Sequence, residues 1–475
     1  MQGPAAPSRG DWRGTRPDSS LDLVPDTVLW LRRDLRLGDH PALLQAGEQA
    51  DGGRVLALFV LDPRLTGPAG APRLTWLARS LRAFDRSTDG ALLVRHGDPV
   101  QVVPAVAAEL GAATVHVSAD AGPYGRRRDE AVAEALAAED RRLVRTGSPY
   151  AVGPGTVTKS DGSPYAVFTP FSRAWRDHGW PAPAATPPAR LRWARGLDGE
   201  GLPSEPEQAN DIDVIEVGEQ AALARWSRFV DEGLDGYGET RDRPGVAGTS
   251  RMSAHLKYGE VHPRTLLADL ARRRSKGADV YRTELAWREF YADVLWHHPS
   301  SARDYLKPQL GRMRYAEPGR LFEAWQQGRT GFPLVDAGMR QLLAEGWMHN
   351  RVRMVTASFL VKDLHVEWQH GARHFLRHLV DGDLASNNHG WQWVAGSGTD
   401  ASPYFRIFNP VTQGQRFDPD GDYVRRYLPE LAHLPGATAH TPWDRADGYA
   451  HGYPERIVDH ADERREALER YAEVR

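Results

Sequence analysis

Residues 381–400, DGDLASNNHGWQWVAGSGTD, put two carboxylates, an Asn pair and two tryptophans into one short span. On a helix turning about 100° per residue, Trp391 and Trp393 stand about 200° apart and cannot share one core stripe. They must face different surroundings. One reading places a redox cofactor on one side and a flat substrate on the other, with Asp381 and Asp383 gripping polar cofactor atoms. The other is a buried aromatic helix whose carboxylates cap its start. Both fit the segment, and the rest of the chain has to decide.

Three further constellations bear on that choice. In GTSRMSAHL, beginning at Gly248, Thr249 and Ser250 precede a helical pattern that carries Arg251 in its first turn. Hydroxyls, free N–H groups and a guanidinium at a helix start suit a phosphate; a plain Ser/Thr cap is the alternative. In TELAWREFY, Glu284, Trp287 and Arg288 fall at i, i+3 and i+4 and share a helix face. Asn350 and Met354 in GWMHNRVRMV are one turn apart, an amide and a thioether that could line a heterocycle pocket or pack internally. His370, His374 and His378 recur every four residues, but with no carboxylate or cysteine in the run a histidine stripe is expected rather than a metal site. Asp381 and Asp383 could hold Mg²⁺, yet no GK[ST] phosphate loop accompanies them.

The elements that position these residues follow from composition and pattern. The 475 residues, 41% hydrophobic, suggest two to three domains. There is no cysteine, which rules out disulfides, thiolate metal sites and a cysteine nucleophile. A net charge of −3 argues against nonspecific coating of nucleic acid, although local basic clusters exist at Arg272–Arg274 with Lys276, at Arg351 with Arg353, and at Arg425 with Arg426. Residues 1–26 read as a disordered polar tail without a signal peptide, and no run approaches the ~18 apolar residues of a membrane span. A cytoplasmic protein is expected.

Short apolar runs at 28–31, 55–60, 91–94, 114–118 and 142–144 alternate with helical stretches, predicting an α/β doubly wound parallel sheet over 27–150. The first run leads into RRDLRLGDH rather than a glycine-rich turn, so a dinucleotide-type site is disfavoured. Residues 151–215 form a Pro/Gly-rich connector, too broken for long elements. From 216 to 475 an all-α domain is expected, and nine of the fifteen tryptophans lie from Gly218 onward.

As a set, VLWLRRDLRLGDHPAL, TELAWREFY, TGFPLVDAGMRQLLAEGWMHNRVRMVTASFLVKDL, DGDLASNNHGWQW and SPYFRIFNPVTQG closely resemble the photolyase/cryptochrome flavoproteins. The likeness runs from about Val28 to near Tyr471 and looks strongest to the class I branch that repairs cyclobutane pyrimidine dimers. It implies an N-terminal antenna-binding domain, and a helical domain that binds FAD and DNA and acts as a light-driven carbon–carbon lyase. On that likeness Tyr237, Thr249, Ser250, Arg251, Met252, Ser253, Arg288, Trp347, Arg353, Asp381 and Asp383 would hold FAD, with Asn387 at the flavin N5. Glu284, Trp287, Asn350, Met354 and Trp393 would line the lesion pocket, and Arg241, Arg351 and Arg406 would contact DNA. The implied reaction flips the dimer out of the duplex, stacks it on apolar side chains and passes it one electron from excited reduced FAD, Glu284 and Asn350 stabilising the radical anion.

Two departures from the family pattern stand out. The photoreduction series has Trp391 and Trp368, but its outer position is Tyr315, which is either the terminal electron donor or the mark of a shortened series. Folate-binding relatives carry a glutamate where this chain has Gly125, and SADAGPYGRRRD resembles the deazaflavin type, so a deazaflavin or flavin antenna near Asp120 is expected. The resemblance implies a DNA partner, and a monomer is expected. The alternatives are a cryptochrome-like photoreceptor acting through a partner and a dark electron-transfer flavoprotein.

Overall fold

The computed structural model describes residues 25–187, 191–207, 215–399 and 405–474. The expected tail lies almost wholly outside these, as do Asp400 to Tyr404 of the SPYFRIFNP region. The five expected strands form one parallel sheet: β1 (Thr27–Leu31), β2 (Val55–Leu61), β3 (Leu92–His96), β4 (Thr114–Val117) and β5 (Arg142–Arg145), in the order β3-β2-β1-β4-β5. Every residue of β1 and β2 is buried, because helices cover both faces and the strands must be apolar throughout. Alternation along β1 sends Val28 and Trp30 to one core and Leu29 and Leu31 to the other.

Four helices flank the sheet: α1 (Pro41–Ala50), α2 (Ala71–Ser87), α3 (Pro99–Leu110) and α4 (Pro123–Ala137). The strand order reverses between β1 and β4. In such folds ligands bind at that crevice, beyond the carboxyl ends of the strands. Here the crevice holds Arg32 and Asp34 just past β1 and Ser118 and Asp120 just past β4.

The connector departs from expectation, since Phe168–His178 is an eleven-residue helix. Its Phe171 and Trp175, one turn apart, are buried, and Phe171 packs on Phe290 at 5.1 Å. Tertiary burial of that aromatic pair outweighs the flanking Pro and Gly. The chain then returns to the sheet, the Val55 N–H donating to the Arg192 carbonyl at 2.9 Å.

The helical half is built on α5 (Ser253–Tyr258), α6 (Lys276–His297), α7 (Pro333–Glu345), α8 (Asn350–Lys362), α9 (Trp368–His378) and α10 (Leu384–Ala395). Trp325, Phe332, Met339, Phe359, Trp368, Phe375 and Trp391 share its largest core. α9 and α10 cross closely at Gly371, where an added Cβ would lie 2.1 Å from Cη2 of Trp391.

The halves meet through α5 and the turn after it. The Leu35 N–H donates to the Tyr258 carbonyl at 3.2 Å and the Arg36 guanidinium to the Gly259 carbonyl at 3.0 Å. Gly259 has φ +70°, and an added Cβ would sit 1.9 Å from the Arg33 carbonyl oxygen, so only glycine suits both the turn and the approach. The fully buried Glu260 accepts from Trp76 Nε1 and Ser80 Oγ of α2 and contacts His255. Among the described residues, no helix is long and apolar enough to cross a membrane.

Candidate functional site

Asp381 and Asp383 sit in the turn between α9 and α10, and each has a defined set of partners. Asp381 accepts from Ser253 Oγ at 2.7 Å and pairs with Arg353 at 2.8 Å. Asp383 caps α10 by accepting from the Ser386 N–H at 3.0 Å and pairs with Arg33 at 2.7 Å. Burial alone would raise the Asp383 carboxyl, but Arg33, Arg288, the Ser386 N–H and Lys257 outweigh it and hold it at about 2. Arg288 itself donates to the Pro149 and Leu256 carbonyls and lies 4.4 Å from the Tyr150 ring centroid.

Positive charge is crowded around this turn. Burial and the like charges of Arg73 and Arg33 lower the Lys257 amine to about 7, against the pull of Asp383 and Asp381. Its Nζ rests over the Tyr258 ring at 4.0 Å. A half-buried amine beside two guanidiniums is a cationic hollow, and a diphosphate is the kind of group that would neutralise it.

The GTSRMS run meets the same region with a different local structure from the one expected. The helix begins at Ser253, so Arg251 is not in its first turn. Arg251 has φ +54°, a left-handed conformation that breaks the helix, and the Met252 N–H donates to Ser250 Oγ at 3.3 Å instead. The Arg251 side chain pairs with Glu345 at 2.6 Å and lies 4.2 Å from the Trp347 ring; these three line a cleft with Trp76 and Ala254. Ser250 Oγ is 2.8 Å from the hydroxyl of Tyr281, whose ring packs on Tyr237 at 5.2 Å. Met252 is buried in the core beside Leu256, and Thr249 is half-buried.

Asn387, half-buried on α10, commits its amide nitrogen twice. Nδ2 donates to the Ala372 carbonyl at 3.1 Å and to Asn388 Oδ1 at 2.8 Å, which leaves Oδ1 as an acceptor.

A second set of residues gathers at the ends of α6 and α8. Glu284 and Arg288 share α6 but do not pair. Glu284 binds Arg241 at 2.5 Å; burial raises its carboxyl although Arg241 opposes this. Arg351 pairs with Asp242 at 3.0 Å and reaches Met354 Sδ at 3.7 Å, one turn along α8 from the exposed Asn350. Thus Glu284, Arg241, Arg351, Asn350 and Met354 come together. The charges expected to meet DNA at Arg241 and Arg351 are each partnered by an acid. Trp287 stacks on Phe168 at 3.6 Å and 6°, while Trp393 is half-buried, with the Arg406 guanidinium 5.2 Å from its ring.

Trp391 and Trp393 do face opposite ways. Trp391 is buried against Phe375 and Trp325, with ring centroids at 4.9 and 6.1 Å. Trp368 contacts Tyr305, and Tyr305 stacks on Tyr315. Along the histidine run His370 and His378 are half-buried and His374 is buried, its ring lowered to about 3 by burial and His378. No group of three His, Cys, Asp or Glu among the described residues could hold a metal.

At the sheet crevice, Asp120 pairs with Arg128 at 3.3 Å and Arg32 pairs with Asp129 at 2.5 Å. A Cβ on Gly125 would fall 2.1 Å from the Asp120 carboxylate, so no glutamate fits there without moving it.

Sequence reasoning missed Arg33, Lys257, Asp242 and Tyr305. The position of Arg33 just past β1, where α/β folds place their ligands, was the signal available for it. For Lys257, Asp242 and Tyr305 the sequence carries none.

Two family models match: "DNA photolyase" over residues 27–189 and "FAD binding domain of DNA photolyase" over 281–473. A deoxyribodipyrimidine photo-lyase of Agrobacterium fabrum is 39% identical, over 96% of this chain and 99% of that protein. The crystal structure of a class III photolyase from Agrobacterium tumefaciens superposes with a TM-score of 0.89 at 38% identity, covering 97% of this chain and 99% of that one. An archaeal photolyase from Sulfolobus tokodaii, solved with two FAD molecules, gives 0.83 at 26% identity, covering 94% and 100%.

Proposed function

Because the chain belongs to the DNA photolyase family, with a photolyase FAD-binding domain, we propose that it repairs cyclobutane pyrimidine dimers in DNA by light-driven electron transfer to a flipped-out lesion. The observation that carries this reading furthest is the committed amide of Asn387. With both Nδ2 hydrogens donated to protein, Oδ1 can only accept, which favours a flavin whose N5 bears a hydrogen over one whose N5 is an acceptor. Bound reduced FAD supplies, on excitation, the single electron that opens the dimer and receives it back.

The chain's own residues do the rest. Arg33, Lys257 and Ser250 would meet the diphosphate, and Arg353 and Ser253 hold Asp381 in place for the polar edge of the cofactor. Trp287, backed by Phe168, and Trp393 offer flat apolar faces to a base pair's worth of flipped pyrimidines. Glu284, whose carboxyl is raised by burial, can present a proton to a carbonyl oxygen that gains negative charge, and Arg241 keeps it oriented. Asn350 donates to the pyrimidine edge and Met354 packs against it.

At the sheet crevice we assign Asp120 and Arg128 to a deazaflavin or flavin antenna. The closed space at Gly125 and the second FAD named for the archaeal relative support this over folate.

The test is loss of dimers from an oligonucleotide under blue light compared with darkness, with a (6-4) substrate alongside. Loss of cyclobutane dimers only in light is expected, and no loss of (6-4) product. Repair of (6-4) lesions alone, or no light-dependent repair by flavin-loaded protein, would sink the reading. Asn350→Ala should lower repair through one lost hydrogen bond, on the order of 1–3 kcal/mol.

A further inference from the structure

We propose that Tyr305, with Glu367 as its proton acceptor, traps the oxidising equivalent that leaves Trp368, so that light-driven flavin reduction draws on the series Trp391, Trp368, Tyr305. The proposal rests on the flavin reading above.

Other phenols of this core also donate to carboxylates, Tyr453 to Asp336 and Tyr427 to Glu345, but Tyr305 is the one in ring contact with Trp368 among the described residues. Trp391 lies on Gly371, one turn from Trp368 on α9, so the two indoles share a helix face. Nε1 of both is buried without an acceptor, and an oxidised indole there keeps its proton and stays able to pass the charge on. Trp325, the other indole beside Trp391, donates Nε1 to the Thr356 carbonyl at 3.0 Å, an amide oxygen too weakly basic to take a proton. Its ring neighbours other than Trp391 are Phe322, His374 and Phe375, all harder to oxidise than an indole, so charge on Trp325 passes no further among them.

Tyr305 meets Trp368 edge to face, ring centroids 6.1 Å apart, and its hydroxyl donates to Glu367 Oε1 at 2.9 Å. Glu367 precedes α9 as its N-cap, where a carboxylate is favoured by the helix dipole. Tyr315 stacks on Tyr305 at 6.2 Å, but its own hydroxyl donates to the Leu310 carbonyl at 3.0 Å. Of the two phenols, Tyr305 alone is hydrogen-bonded to a base. Burial, Tyr315 and Glu367 all push the Tyr305 phenol up from its ordinary value, so it holds its proton until the ring is oxidised.

The step balances. Photoexcited oxidised flavin is the one-electron oxidant, and the charge it leaves reaches Trp368 as an indole radical cation. One electron then moves from Tyr305 to Trp368 while the phenolic proton moves to Glu367. A neutral tyrosyl radical, a neutral indole and a carboxylic acid replace a phenol, an indole cation and a carboxylate.

The experiment is flash spectroscopy and electron paramagnetic resonance on flavin-loaded protein in H₂O and D₂O, with Tyr305→Phe, Tyr315→Phe and Glu367→Gln checked for normal flavin content. Wild type and Tyr315→Phe should give a neutral tyrosyl signal, and Tyr305→Phe should lose it. Glu367→Gln should slow decay of the indole cation by about 100-fold, the lower range for removing a positioned proton acceptor, and should abolish the solvent isotope effect. A tyrosyl signal that survives in Tyr305→Phe but disappears in Tyr315→Phe overturns the proposal, as does an unchanged decay in Glu367→Gln. Wild-type protein that loads flavin but shows no light-driven reduction, with Trp391→Phe identical to it, overturns the flavin-reduction reading and the proposal with it.

Discussion

Lys257 shows how a single half-buried amine can report on a ligand. Its amine stands near 7 because burial and the guanidiniums of Arg73 and Arg33 disfavour its charge. An anionic diphosphate beside it would raise that value, so binding takes up a proton once the solution is above about pH 7. Flavin affinity should therefore fall as pH rises above 7, by up to about tenfold per unit until the raised value is passed. Fluorescence titration of FAD on either side of that pH measures this, and Lys257→Met should flatten the dependence. The apoprotein should behave in the opposite sense. Its folded Lys257 is depressed below the ordinary value of 10.5, so the unfolded chain binds more protons between the two values and stability rises with pH across that window. None of this was legible in the sequence, where Lys257 is one cation in a short helix. The carboxylates were legible: Asp381 and Asp383 stand out by spacing, and the structure gives both cationic partners.

At the level of elements, the crossing of α9 and α10 sets where Trp391 lies. Gly371→Ala would place a methyl group 2.1 Å from the indole, and the rigid ring must move. A loss of about 1–3 kcal/mol is expected from such overpacking, together with slower photoreduction because the ring leaves the face it shares with Trp368. Thermal unfolding and flash spectroscopy of the one variant check both. The elements also show what pattern can and cannot reveal. All five strands were readable, β1 and β2 most plainly, because a sheet covered on both faces demands apolar runs in its central strands. The Phe168–His178 helix was not, since its stabilisation comes from burying Phe171 and Trp175 against α6 rather than from local sequence. The start of α5 was misplaced for a related reason: Arg251 takes a left-handed backbone and its side chain is held by Glu345 and Trp347, contacts that lie far off in sequence.

At the scale of the whole molecule, a net charge of −3 means that DNA affinity must come from a local face. Arg351→Ala and Arg406→Ala should each lower the slope of log affinity against log salt by about one, leaving flavin content unchanged. Binding measured over a salt series tests the placement, and an unchanged slope in both variants would place the face elsewhere. The two halves of the chain are less separable than their contrasting folds suggest. Arg33, just past β1, supplies the ion pair of Asp383, and the Arg33 backbone fills the space that a side chain on Gly259 would need. Glu260 is enclosed by Trp76 and Ser80 of α2. A chimera that exchanges the α/β half therefore also exchanges part of the wall of the proposed flavin site. Unless the incoming half carries an arginine in the Arg33 position and an indole and hydroxyl facing Glu260, such a graft is expected to bind flavin poorly, which flavin content of the purified chimera measures.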